Sequence, residues 1–119
     1  MVPPSPQKFT GIWGITGSDV FAVGESGGIE HYDGSAWTLQ TTLPGITLRG
    51  VWSITASNAY AVGSGGTIAH YNGSTWPTEI SGTTSSLASV WGSAANNVFA
   101  VGQGGTILHS TGGAWSAMT

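Results

Sequence analysis

The chain has no cysteine and only two basic side chains, Lys8 and Arg49, among its 119 residues. Without thiols there is no disulfide frame, no thiolate nucleophile and no sulfur-ligated zinc site. Two cations cannot neutralise a row of phosphates, so nucleic acid is excluded as a partner. A basic helix lying on a membrane surface fails on the same count. No run approaches the roughly 18 apolar residues that a spanning helix needs, so no membrane partner is expected. The opening Met1-Val2-Pro3-Pro4-Ser5-Pro6 lacks the charged start and apolar core of a secretory signal. Charge is scarce overall, at 6% of residues and a net −3, and a disordered, charge-rich chain is thereby ruled out.

Glycine and tryptophan are plentiful instead, with 20 Gly and 6 Trp, and the second of these falls into register. Trp13, Trp52 and Trp91 recur at an interval of 39 residues, as do Gly24, Gly63 and Gly102 and His31, His70 and His109. Trp37, Trp76 and Trp115 repeat the same interval. A period of this length signals a repeat architecture.

Each unit divides into four short strand candidates. In the first unit, strand A covers Gly11 to Ile15, strand B Val20 to Val23, strand C about Ile29 to Tyr32, and strand D begins at Trp37. Polar or glycine-rich turns separate them: Gly17-Ser18-Asp19, Glu25-Ser26-Gly27-Gly28 and Asp33-Gly34-Ser35. Asp-Gly, and Asn72-Gly73 at the matching place in the second unit, are strong hairpin signals because they accept positive φ. No helical apolar period persists for ten residues.

Strand B places Val20 and Ala22 on one face and Phe21 and Val23 on the other. A strand apolar on both faces must be covered on both, so consecutive sheets must stack face to face around an axis. A β-solenoid would have shorter rungs without three hairpin turns. The predicted fold is therefore all-β: a β-propeller, whose blades recur about every 40–45 residues. The expected division is a lead-in over 1–10, blade 1 over 11–49, blade 2 over 50–88 and blade 3 over 89–119.

Propellers ordinarily close with about four to eight blades, so three would leave two apolar faces bare. Three periods of 39 make 117 of the 119 residues, and the position after Thr119 corresponds to Pro3. The register thus hands one chain's end to another chain's start. The expectation is a C2 homodimer closing a six-bladed ring, in preference to a nine-bladed trimer, with no strand exchanged between copies.

The hairpin Asp33-Gly34-Ser35-Ala36-Trp37, with Asn72-Gly73-Ser74-Thr75-Trp76, resembles the Asp-box of sialidase-type propellers in its Gly-x-x-Trp half. The layout V-W-G, D-V-F-A-V-G, H-Y-D-G-x-x-W resembles the blades of bacterial fucose-binding propeller lectins and of large secreted bacterial repeat proteins. It differs from the lectins in having Ala22-Val23-Gly24 for their Gly-Arg-Gly, and His31-Tyr32 for their doubled Trp. The resemblance implies a propeller fold, an extracellular or cell-surface bacterial parent, and carbohydrate as a partner. The sugar candidates are Asp33, Trp37, Asn72 and Trp76 on one side of the ring, and Glu25, Arg49 and Gln103 on the other.

Catalytic motifs dissolve on inspection. Gly24-Glu25-Ser26-Gly27-Gly28 matches a nucleophile elbow, but that motif needs a helix to follow, and the equivalent turns carry Gly where Ser26 stands. Symmetry-related His31, His70 and His109 would diverge from the axis rather than converge on a metal, so each is expected to bond neighbouring backbone. The six Trp are expected to pack between blades. Asp19, Glu25, Glu30 and Asp33 sit on separate turns and strands and form no carboxylate pair for glycoside hydrolysis. Glu30, replaced by Ala69 and Leu108 in the other units, is expected to face solvent or a polar group across the chain junction. Asn72-Gly73-Ser74 is a formal glycosylation sequon, read here as the turn. No enzyme, cofactor or metal is expected. The chain reads as a self-assembling scaffold, with a glycan-binding lectin as the alternative.

Overall fold

A computed structural model of the chain describes residues 6–118, so the register handover from Thr119 to Pro3 and the first half of the lead-in lie outside it. It contains three four-stranded antiparallel sheets, each following chain order from strand to neighbouring strand. Blade 1 comprises β1 (Phe9–Thr16), β2 (Asp19–Gly24), β3 (Gly28–Tyr32) and β4 (Trp37–Thr42). Blade 2 comprises β5 (Leu48–Thr55), β6 (Asn58–Gly63), β7 (Thr67–Tyr71) and β8 (Thr78–Glu79). Blade 3 comprises β9 (Leu87–Ala94), β10 (Asn97–Gly102), β11 (Ile107–Ser110) and β12 (Trp115–Ala117). The outer strand of blade 3 is thus the chain's own C-terminal segment.

The first strands lie side by side, β1 against β5 and β5 against β9, so they form the inner edge of the stack. Glycine makes this approach possible. A Cβ on Gly11 would stand 2.8 Å from the Arg49 carbonyl oxygen, and one on Gly50 would stand 2.9 Å from Ser89 Cα. The outer strands splay apart, which turns stacked sheets into a wedge-shaped arc.

The turns show what the sequence signals do physically. In the hairpin before β4, only Gly34 takes positive φ, at 100°. Asp33 contributes hydrogen bonds instead: its Oδ1 accepts from the backbone N–H of Ser35 at 2.8 Å and of Ala36 at 3.0 Å. Asn72 does the same with Ser74 at 2.9 Å and Thr75 at 2.8 Å. These are Asx turns, which use an Asp or Asn side chain as a backbone mimic. The two donated bonds also hold the exposed Asp33 carboxyl below its ordinary range, Ala36 first and Ser35 second.

At the opposite end of the blades, the second turn tucks under the connection to the next blade. Gly27 and Gly66 combine positive φ with backbone contact so close that a Cβ would lie 2.1 Å from the Leu43 oxygen and 2.0 Å from the Thr83 oxygen, respectively. In blades 2 and 3 this turn tightens into short 3₁₀ segments, Ser64–Gly66 and Gln103–Gly105. Gln7 closes the blade 1 turn, accepting from Ser26 and Gly28 N–H at 3.1 Å each and donating to the Gly28 oxygen at 3.0 Å.

Inner-edge contact gives a direct test. Gly50→Ala should lower stability by about 1–3 kcal/mol, the usual cost of overpacking. Gly17→Ala, at an ordinary φ with nothing within 4 Å of the added Cβ, should change it by less than about 0.5 kcal/mol. Urea unfolding of both variants checks the contrast; equal losses would mean that the strands do not depend on this close approach.

Candidate functional site

The internal joints define what a blade face requires. Between blades 1 and 2, Phe21, Val23 and Ile29 meet Leu48, Val51, Ala59, Ala61, Ala69 and Trp76. Between blades 2 and 3, Trp52, Tyr60, Val62 and Ile68 meet Leu87, Val90, Val98, Ala100, Leu108 and Trp115. The second set is the first moved on by one period. Each blade therefore has a forward face, made of aromatic and β-branched residues, and a rear face, made of smaller apolar residues and the outer-strand Trp.

Aromatic geometry pins each joint. Trp76 meets Phe21 edge to face at 5.7 Å and 82°, and Trp115 meets Tyr60 at 5.7 Å and 87°. Such T-shaped pairs place a positive ring edge against a negative face. Each indole also finds an acceptor on the blade behind it. Trp76 Nε1 donates to Gln40 Oε1 at 2.9 Å, and Trp115 Nε1 donates to Glu79 Oε1 at 2.8 Å. Further in, Trp13 Nε1 donates to the Ser53 carbonyl at 3.2 Å, while Trp52 lies against Gly92.

The histidines do not bond backbone as expected. His31 Nε2 meets Asp19 Oδ1 at 2.6 Å, His70 Nε2 meets Asn58 Oδ1 at 2.7 Å, and His109 Nε2 meets Asn97 Oδ1 at 2.8 Å. Against the amide oxygens of Asn58 and Asn97 the ring nitrogen must be the donor. Each ring also lies over the aromatic residue of the second strand: Phe21 at 4.7 Å, Tyr60 at 4.0 Å and Phe99 at 4.5 Å. The backbone reading failed because the strand hydrogen bonds are already taken by the ladder, leaving the ring to a side chain at the strand's start. His70 Nδ1 also meets Glu79 Oε2 at 2.8 Å, which links Asn58, His70, Glu79 and Trp115 into one chain across the joint. The three rings stay in separate blades, and among the described residues no cluster of three His, Cys, Asp or Glu is placed to hold a metal.

Glu30 does not face solvent. It is fully buried, on the rear face of blade 1 between Ala22 and Leu39 of the neighbouring strands. The carboxylate is thus enclosed rather than presented to water.

Two faces lack a neighbour among the described residues. The forward face of blade 3 carries Trp91, Phe99, Val101 and Ile107, the period equivalents of Trp52, Tyr60, Val62 and Ile68. Trp91 is 53% exposed where Trp52 is 5% exposed, and Val101 and Ile107 are 40% and 42% exposed where Val62 and Ile68 are sealed. The rear face of blade 1 carries Phe9, Ile12, Val20, Ala22 and Trp37, with Ile12 at 69%. An apolar hollow of about 440 Å³ opens there, lined by Phe9, Thr10, Gly11, Ile12, Ala22 and Trp37. In blade 2, the corresponding space is filled by Phe21, Val23 and Ile29.

The sugar candidates are scattered over this frame. Trp76 is buried in a joint, and Trp37 is half-buried on the open rear face, 5.3 Å from Tyr32. Asp33 and Asn72 are exposed, and the Oδ1 of each is taken by its own turn. Glu25, Arg49 and Gln103 are exposed at the opposite end of the sheets, with Glu25 3.9 Å from Lys8 Nζ. Sequence reasoning passed over Gln40, Glu79, Asn58 and Asn97 and weighed Asp19 only as one of four scattered acids, although the same 39-residue interval marks them.

Comparison with known proteins now bears on the arrangement. No protein-family profile and no curated protein matches the chain. Solved structures do match: YCF48 bound to a D1 peptide, at TM-score 0.79 and 16% identity over 98% of this chain and 42% of that one. YCF48 from Cyanidioschyzon merolae follows at 0.77 and 16%, over 98% and 41%. An ancestral GH74 enzyme matches at 0.75 and 16%, over the whole of this chain and 19% of the other. These are β-propeller proteins. The fold is a run of propeller blades. At such identities the likeness speaks for fold alone, and the chain spans less than half the length of each.

Tyr60 carries a pH signature of the blade 2–3 joint. Burial first, and the Glu79 carboxylate second, push its phenol up to about 12. The folded state then holds this proton more tightly than the unfolded chain, so its contribution is complete below about pH 10 and is lost as pH rises through 12. Phe stands at both equivalent positions, so Tyr60→Phe should leave stability at pH 7 within about 1 kcal/mol of the parent. The variant should also lose less stability than the parent between pH 10 and 12. Denaturant unfolding at pH 7 and pH 11 distinguishes the two, and an equally steep alkaline loss would assign the titration to another group.

Proposed function

We propose that the chain is a non-enzymatic, self-assembling propeller module, in which two copies close a six-bladed ring. One observation carries this reading. The two open faces are the same pair of surfaces that are already buried against each other at both internal joints. Phe99, Val101 and Ile107 of one copy would enter the hollow beside Phe9, Ile12 and Trp37 of the other, as Phe21, Val23 and Ile29 enter its counterpart on blade 2. Trp91 would lie on Gly14, as Trp52 lies on Gly92. A large exposed apolar surface on both ends of one chain needs cover in water, and head-to-tail contact repeated twice closes without a free end. A glycan-binding ring is the alternative. The burial of Trp76 leaves no open aromatic platform at that blade, so the scaffold reading is preferred.

Light scattering of the 119-residue chain should give twice the monomer mass. Ile12→Asp and Val101→Asp, each spoiling one face, should each give folded monomers, because both seams of a symmetric ring then contain a charge. Mixing the two should restore pairing through the one seam whose faces are both intact. A folded, monomeric parent chain at tens of micromolar would defeat the reading, and a stable species of three copies would replace the six-bladed ring with a nine-bladed one.

A further inference from the structure

The open faces repeat the internal joints in their apolar residues but depart from them at particular contacts. The inner-edge approach uses Gly11 and Gly50, each aimed at the backbone of the next blade. The third member of that series is Ser89, which pairs with Val101 as Gly50 pairs with Val62 and Gly11 with Val23. Its Cβ and hydroxyl would point at the Thr10 carbonyl of a following copy, where internal joints tolerate no side-chain atom.

The outer-edge hydrogen bond changes as well. The acceptors for Trp76 and Trp115 are Gln40 and Glu79, and one period further on stands Met118. Its position is equivalent in the sheet too: Met118 N–H donates to the Ile107 oxygen at 2.8 Å, opposite the same strand residue that Glu79 faces in blade 2. Met118 is 50% exposed. The indole N–H of Trp37 from a following copy would thus meet a thioether, a weak acceptor.

We infer that the seam between copies is a loosened version of the internal joint, with Ser89 and Met118 setting its strength, so that the ring opens at its seams while each chain's three blades stay together. The inference rests on closure by a second copy. Its physical content is that one contact is obstructed at the inner edge and one hydrogen bond is lost at the outer edge, while the apolar and T-shaped contacts between them are kept.

The test is the dissociation constant of the 119-residue chain, from sedimentation equilibrium and from exchange between fluorescently labelled copies. Met118→Gln restores the acceptor and should tighten association by about fivefold per seam, the equivalent of one ordinary hydrogen bond. Ser89→Gly should tighten it further and slow exchange. Met118→Leu, which restores no acceptor, should not. Unchanged circular dichroism and urea midpoints below the dissociation concentration keep the effect at the seam. A tight parent ring that Met118→Gln and Ser89→Gly leave within twofold overturns this inference alone. So does an equal gain from Met118→Leu. A monomeric parent whose double variant pairs upholds the inference while defeating self-association of the parent. Monomers throughout defeat both.

Discussion

A sheet that is apolar on both faces cannot stand alone in water, and every other feature of this protein follows from that constraint. Phe21 and Val23 point one way from β2, and Ala22 the other. With about 39 residues per blade, one sheet cannot cover itself, so it must be covered by its neighbour. The neighbour then presents the same need one period on. Stability passes from blade to blade and is left unfinished wherever the series stops.

The joint answering this need combines non-directional and directional terms. Apolar burial supplies the bulk of the attraction. The edge-to-face Trp pairs and the indole hydrogen bonds select one rotation and one spacing, because both weaken quickly away from their preferred geometry. Glycine at the inner edge lets backbones meet, and bulkier outer strands hold the sheets apart. The result is a curved arc of blades rather than a flat stack. The hydrogen-bonded chain from Asn58 through His70 and Glu79 to Trp115 couples the interior of one blade to the edge of the next, which explains polar residues in an otherwise apolar seam.

Polar groups elsewhere serve the fold as well. Asp33 and Asn72 close turns, Gln7 closes another, and each His is held by the residue at the start of the second strand. The three histidines, Asp33 and Asn72, which look like chemistry when read singly, are held by their own blade or turn. The departures from repetition are more informative than the repetition. Ser89 and Met118 break the pattern on the forward face of blade 3, which has no neighbour among the described residues, and Glu30 breaks it as a buried carboxylate on the rear face of blade 1.

The amino-acid sequence by itself determined the number of blades, their four-strand division, the turns and the two-sided apolar strands. Periodicity and alternation are local properties, and a 39-residue interval survives any arrangement of the units. It also marked all six Trp as packing residues through that same interval, which holds for Trp52, Trp76 and Trp115, whereas Trp91 is 53% exposed and Trp37 half-buried on the two open faces. It could not determine what each side chain touches in the next blade: that Gln40 receives Trp76, that His70 turns to Asn58 rather than backbone, or that Glu30 is buried. The His70–Asn58 pair, 12 positions apart, is set by the pairing of neighbouring strands within one blade, and the Trp76–Gln40 pair, 36 apart, only by the stacking of one blade on the next.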